Sequence, residues 1–495
     1  MRRQPFPPTV PQGWDQIPNH FSVRSAPPIV CLQPVLSTLP HSAHLCMLPA
    51  FLPCYLPTQT HSFHDNYVLH GLHHGFDIGF SGDRTVNVNS PNLPSAAKHA
   101  QFISDQLAAS CSRRETAGLF TSPPFSHMHC SGVGAVPKKN GKMRMIHHLS
   151  SPLGTSVNDG IPTDIFSLQY VTIDDAINMI MSLPPPVYLS KLDVKSAFRQ
   201  IPVRIEDFPL LGIFWQGRYY YEQVLPFGLR SSPFIFNTVA DAIEWIIKHH
   251  FSISDLLHYL DDFLNAVSSL SVANRQLAIL LRAFMLLGVP LAPDKIEGPA
   301  QCLKFLGIEL DCVSKQARLP SNKLTELTSL LTATLQRNSI SQRSLESLLG
   351  KLSFAARVVT PGRTFLRRLW SVCSRYQEPH YKIVLDSDAM EDIRWWQHLL
   401  QHWNGKSFFL HPNWTPSPDL QLYTDASGSR SWGAYNNGRW INGAWTREEV
   451  ERDITWKELY ALLVACATWG HAWAKAPYPY SLRQCCSRGL CKVGQ

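Results

Sequence analysis

Two adjacent carboxylates, Asp261 and Asp262, stand in the middle of an apolar stretch, "LLHYLDDFLNAV" (256–267). Two such charges about 5 Å apart repel by roughly 3 kcal/mol at an effective dielectric near 20, and burial adds a desolvation cost to each. One reading is a solvent-exposed hairpin turn, with Leu256, Leu257 and Tyr259 on one strand and Phe263, Leu264 and Val267 on the other. The other is a buried pair that requires a positive partner. A third carboxylate, Asp193, ends an alternating run in "VYLSKLDVKSAFRQIPV". On a neighbouring strand it would complete a cluster of hard oxygen donors for two divalent cations. Such a site suits in-line attack of a 3′-hydroxyl on a phosphate, with one ion activating the hydroxyl and both stabilising charge on the attacking and leaving oxygens.

The elements that must position these acids can be read from pattern. Strand-like runs ("VYLSKLDV", "GRYYYEQVLPF", "CLKFLGIELD") alternate with helical ones ("TIDDAINMIMSL", "SSPFIFNTVADAIEWIIKHH", "VANRQLAILLRAFMLLG"). This mixture suits an α+β domain built on an antiparallel sheet. A chain of 495 residues, 44% hydrophobic and 11% aromatic, has room for several packed domains. The formal charge of +8 is concentrated: between Lys315 and Arg375 eleven Lys or Arg face only Glu326 and Glu346. Helix formers dominate that segment, so it reads either as a helical surface for a nucleic-acid backbone or as a merely solvated basic face. Twelve cysteines show no paired or zinc-ligand spacing, which points to reduced thiols in an intracellular protein, cytoplasmic or nuclear. No uninterrupted apolar run resembles a secretory signal, and "LYALLVACATWGHAW" is too short to span a bilayer, so no membrane is expected.

In order and separation, "LSKLDVKSAFRQIPV", "LPFGLRSSPFIFN", "HYLDDF" and "FLGIELD" resemble the palm of retroelement and retroviral reverse transcriptases, and "GVGAVPKKNGKMRMIHHLSSPLGTSVNDGIP" resembles their fingers. The fingers wording is closest to the DIRS and Ngaro group of tyrosine-recombinase retrotransposons. The resemblance implies a right-hand polymerase (fingers, palm, thumb) that copies template RNA by adding dNTPs to a DNA primer, using two Mg²⁺ ions, or Mn²⁺. By position it implies that Asp193, Asp261 and Asp262 are catalytic and bind metal, with Val194 adding a backbone carbonyl. Phe198 falls at the aromatic steric gate that excludes a ribose 2′-hydroxyl. Lys138, Lys139 and Arg144 match the cations that hold the triphosphate, though they also read as basic residues flanking a turn at Asn140-Gly141. Phe227 and Gly228 match the loop beneath the nascent base pair, and Phe305, Leu306 and Gly307 the hairpin that grips the primer. Without the resemblance Phe227 and Phe305 read as core residues.

The resemblance divides the chain into a proline-rich extension (1–65), fingers and palm (66–314), a basic helical thumb and connection (315–400) and a connector (401–419). A partial α/β ribonuclease H-like domain (420–473) and an aberrant tail (474–495) follow. In the partial domain, "LYTDAS" bears Asp425 and "DITWKELYALLVACATWG" bears Glu458, with Trp456, Leu459, Leu462 and Leu463 expected to face its core. The 37 residues after Glu458 contain no Asp or Glu, so the metal set is incomplete within this sequence, which reads as a truncation, frameshift or misjoined exon. The expected partners are an RNA template, a DNA primer, their RNA:DNA hybrid, dNTPs, and a separate recombinase or integrase for insertion. Alternative functions are a non-catalytic nucleic-acid-binding relic and a ribonuclease H hydrolase.

Overall fold

The computed structural model describes residues 62–138, 141–337, 339–375, 378, 380–403, 406–408 and 421–473. All of these lie in one compact unit, 43–495. Of the expected proline-rich extension only 62–65 are described, and they open the helix Ser62–His74. Lys139, most of the connector 401–419 and the tail 474–495 lie outside the described residues.

The central sheet has four antiparallel strands in the order Glu297–Ala300, Tyr188–Asp193, Asp262–Val267, Leu256–Tyr259. Period-two alternation assigns its faces. Leu189, Leu264 and Ala266 point to one side, into a core shared with the helix Ile173–Ser182 and the hairpin Cys302–Phe305/Ile308–Asp311. Leu192, Leu256 and Phe263 point to the other, against the helices Ser232–His250 and Leu270–Leu286. The helix Ile173–Ser182 begins on a capping box, in which Thr172 and Asp175 satisfy each other's backbone amides. The edge strand joins the sheet at a bulge, where Gly298 has φ +95° and an added Cβ would lie 2.3 Å from the Leu189 carbonyl oxygen. Only glycine permits that approach.

On the N-terminal side, Val133–Pro137 and Met143–His147 form an antiparallel hairpin. Beside it lies a five-stranded sheet with two parallel contacts, so this region is mixed where the sequence pattern suggested antiparallel pairing. On the C-terminal side, the helices Ser321–Arg337, Gln342–Ala355, Arg367–Ser374 and Ser387–Trp403 extend the first core, with Trp396 fully buried. The basic segment is more neutralised than its composition suggests. Arg318 pairs with Glu309 and Asp311, Lys351 with Glu326, and Arg368 with Asp388 and Asp392. Arg337, Arg343, Arg357, Arg367 and Arg375 stay exposed.

The last described unit is a three-stranded antiparallel sheet, Leu422–Ala426, Ser431–Asn436 and Arg439–Ala444, with the helix Ile454–Trp473 packed on it. The helix buries Ala461, Leu462, Ala465 and Trp469. This corrects the expected core face: Leu459 and Leu463 are exposed, because the stripe at 461, 465 and 469 carries the helix against the sheet and turns 459 and 463 outward. Among the described residues no helix is long and apolar enough to cross a membrane.

Candidate active site

Asp261 lies in the two-residue loop of a tight hairpin, between the paired residues Tyr259 and Asp262. Leu260 takes the positive φ, 52°, that such a loop demands. Leucine is a poor residue for this conformation, so the turn stores strain beside the acids. Asp262 stands directly opposite Asp193 across the antiparallel pair. The amide of Val194 donates to the Asp261 carbonyl oxygen at 2.9 Å, which ties the loop to the end of the neighbouring strand. Three carboxylates thus meet at one end of the sheet, where adjacent like charges oppose folding.

Their protonation reflects this crowding. Burial, then the Asp261 carboxylate, pushes Asp262 up to about 6. Burial and the charge of Asp193 also raise Asp261. Both acids therefore lack enough positive charge around them. Part of it comes from a residue the sequence reading missed. Lys295 Nζ donates to both oxygens of the buried Asp193, at 2.8 and 2.7 Å. Burial opposes charging Lys295, but its bonds to Asp193 and the three acidic charges raise its pKa. The one signal for Lys295 was the electrostatic demand itself, since 102 residues separate it from Asp193.

In chemistry the donor set fits divalent cations: hard carboxylate oxygens, more negative charge than one lysine offsets, and an open end to the sheet. In the observed conformation Lys295 holds Asp193, and among the described residues no group of three or more His, Cys, Asp or Glu is arranged to hold a metal ion. Asp193, Asp261 and Asp262 would be the ligands once Lys295 releases the first, with the backbone at Val194 adjoining them.

Phe198 follows on the 3-10 turn Ala197–Gln200. Its ring centroid lies 5.2 Å from that of Phe227 and 5.8 Å from that of Phe236. Arg199 anchors this turn, donating from Nη2 to Glu222 at 2.8 Å and from Nε to Glu115 at 3.4 Å. Phe227 is 49% exposed rather than part of the core, and Gly228 next to it has φ +98°. Lys138 and Arg144 lie exposed on the hairpin Val133–Pro137/Met143–His147, and among the described residues no side-chain hydrogen bond joins either to the acidic cluster. Phe305 is fully buried, and Leu306 and Gly307 form the turn of its hairpin, both at positive φ. Lys323 Nζ donates to the Gly307 carbonyl at 3.1 Å and lies 3.8 Å from the centroid of the Phe354 ring. Asp425 and Glu458 form a separate pair, Glu458 being raised by burial and then by the charge of Asp425.

The chain is similar to known polymerases over this region. Residues 136–310 match the family model described as reverse transcriptase (RNA-dependent DNA polymerase). The Gag-Pro-Pol polyprotein of human T-cell leukemia virus 2 is 25% identical over 291 residues, 56% of this chain and 18% of the polyprotein. The enzymatic polyprotein of cauliflower mosaic virus (strain Strasbourg) is 23% identical over 315 residues, 64% of this chain and 42% of that protein. The chain therefore spans less than half of these relatives' own length. Among solved structures, the foamy viral protease-reverse transcriptase in complex with RNA/DNA hybrid superposes with a TM-score of 0.51 at 16% identity. That match covers 85% of this chain and 55% of that one, a likeness of fold. Residues 136–310, which hold all three clustered acids, are a reverse transcriptase domain within a polymerase fold.

Proposed function

We propose that this chain is an RNA-directed DNA polymerase of a retroelement, adding deoxynucleotides to the 3′-end of a primer paired to template RNA. The observation that carries the proposal is the meeting of Asp193, Asp261 and Asp262 at the open end of one sheet inside the family-matched stretch. When bound there, two Mg²⁺ or Mn²⁺ ions supply Lewis-acid activation of the primer hydroxyl and charge for the leaving pyrophosphate. The protein's part is positioning. Asp193 and Asp262 hold their carboxylates in fixed register across the strand pair, and the strained Leu260 turn presents Asp261 beside them. Phe198, backed by Phe236, sets a wall against the incoming sugar, and a 2′-hydroxyl there would meet the ring. Lys138 and Arg144 on the fingers hairpin are suited to the triphosphate, Arg144 through its guanidinium fork.

On this reading, 66–314 are fingers and palm, 315–400 thumb and connection, and the exposed arginines of the latter face the nucleic-acid backbone. The wording "HHLSSPLGTSVNDGI" favours a DIRS or Ngaro parentage, with a separate recombinase or integrase performing insertion and an intracellular site of action. Asp425 and Glu458 are proposed as part of a ribonuclease H site that these 495 residues do not complete.

The test is extension of a DNA primer on an RNA template with dNTPs and Mg²⁺ or Mn²⁺, comparing the wild type with Asp261→Asn. Extension lost in the variant with hybrid binding retained supports the proposal. A wild-type protein that binds hybrid and never extends would instead be the non-catalytic binding relic.

A further inference from the structure

Asn158 stands in the "SVNDGI" stretch of the fingers wording, where no role has been given to it, and the structure assigns it a positioning role at the candidate active site. It is buried, and its side-chain amide is used at both ends. Nδ2 donates to the Gly228 carbonyl at 2.9 Å and to Ser150 Oγ at 2.7 Å, while Oδ1 accepts from the Arg230 backbone amide at 2.8 Å. Two acceptors on one side and an N–H on the other fix which way the amide faces. Its own backbone amide donates to the Leu149 carbonyl, so the residue is held by the segment that follows the strand Met143–His147. A second bond runs the other way: Arg230 Nη1 donates to the Ile161 carbonyl at 2.7 Å.

The loop that Asn158 grips is otherwise held at its two ends, where Leu225 and Leu229 are buried, the Leu225 amide donates to the Ile201 carbonyl at 3.0 Å and Ser232 Oγ donates to the Pro226 carbonyl at 3.0 Å. Phe227 is half exposed, and Gly228, at φ +98°, adopts a conformation that its neighbours must maintain. The Phe227 ring meets Phe198, whose own turn Arg199 anchors to Glu222. Between those ends, Asn158 supplies the side-chain hold on the Gly228 carbonyl that keeps the tip of the loop against that turn. We propose that Asn158 locks the Phe227–Gly228 loop to the segment after Met143–His147 and so sets the surface against which an incoming nucleotide is selected. The selective role rests on the polymerase reading, whereas the lock itself does not.

Two measurements on the full chain separate these parts. Hydrogen exchange of a peptide covering 225–231 is compared in the wild type, Asn158→Ala and Asn158→Asp, with a peptide covering 256–267 as internal reference. Losing bonds that each contribute about 1 kcal/mol should speed exchange at 225–231 roughly tenfold and leave the reference unchanged. Asn158→Asp keeps the acceptor for Arg230 and the shape of the side chain, so it serves if the alanine variant does not fold. Single-nucleotide extension should then show the dNTP KM rising about tenfold with kcat within about threefold, and the preference for dNTP over rNTP falling by a similar factor. Unchanged exchange would overturn the lock. Faster exchange with unchanged KM and unchanged sugar preference would overturn the selective role and leave Asn158 a structural residue. A wild type that extends no primer would remove the polymerase reading and the selective role with it, while the exchange result still decides the lock.

Discussion

Asp193, Asp261 and Asp262 meet at the end of a sheet packed on both faces, whereas Asp425 and Glu458 meet beside a three-stranded sheet with one helix against it. The first cluster concentrates more charge, buries it more deeply, and needs Lys295 in the observed conformation. The second carries one acid fewer, and Asp425 is exposed. The difference teaches that a rigid two-sided core can hold like charges opposite each other, where a thin sheet holds only a pair in partial contact with water.

The largest expected effect lies in activity. Asp261→Asn or Asp193→Asn should reduce primer extension by about a thousandfold or more, as removal of a metal ligand at a two-metal site does, while Asp425→Asn leaves it within about twofold. Equal losses from both sites, measured as single-turnover rates, would break the comparison.

The next effect is on stability. Lys295→Met leaves the buried Asp193 without its partner and should destabilise the metal-free protein by about 1–3 kcal/mol at pH 7. That is less than a fully buried pair would lose, because Lys295 is half exposed. Added Mg²⁺ should restore more stability to this variant than to the wild type in urea melts.

A third test uses pH. Asp262 is raised to about 6 in the folded protein, above the ordinary carboxylate value near 4, so the stability of its protonated form is present below about pH 4 and lost as pH rises through 6. Asp262→Asn should therefore stabilise the metal-free protein by about 1–2 kcal/mol at pH 7.5 and by almost nothing at pH 3.5, allowing for the partial exposure of the group. A gain independent of pH would show that the carboxylates are not in electrostatic competition.

The smallest effect belongs to the other pair. Glu458→Gln should change stability by less than about 1 kcal/mol, and this chain should release little product from a labelled RNA:DNA hybrid with Mg²⁺. Efficient cleavage that Glu458→Gln abolishes would show the second site to be complete and the contrast mistaken.

Much of the site was legible because it is local in sequence. Alternation set the strand that ends at Asp193, the apolar flanks of Asp261-Asp262 set the hairpin, and the four palm motifs in order carried the family resemblance. The helix Ile454–Trp473 was legible as a helix but not in its buried face, because its hydropathy is high on all sides and only the sheet beneath it selects Ala461, Ala465 and Trp469. Phe305 and Phe227 show the same limit: both are phenylalanines in apolar runs, and one is buried while the other stands half in water.

The sequence by itself determined the α+β elements, the three acids and their order, since these follow from periodicity and from residue types that have few other uses. Tertiary structure alone decided that Asp193 and Asp262 are direct cross-strand partners, that Lys295 neutralises one of them, and that Asn158 holds the loop of Phe227 and Gly228. Strand register and long-range hydrogen bonds depend on how whole elements pack, and no local pattern records which distant side chain will fill a charge or a donor left open by that packing.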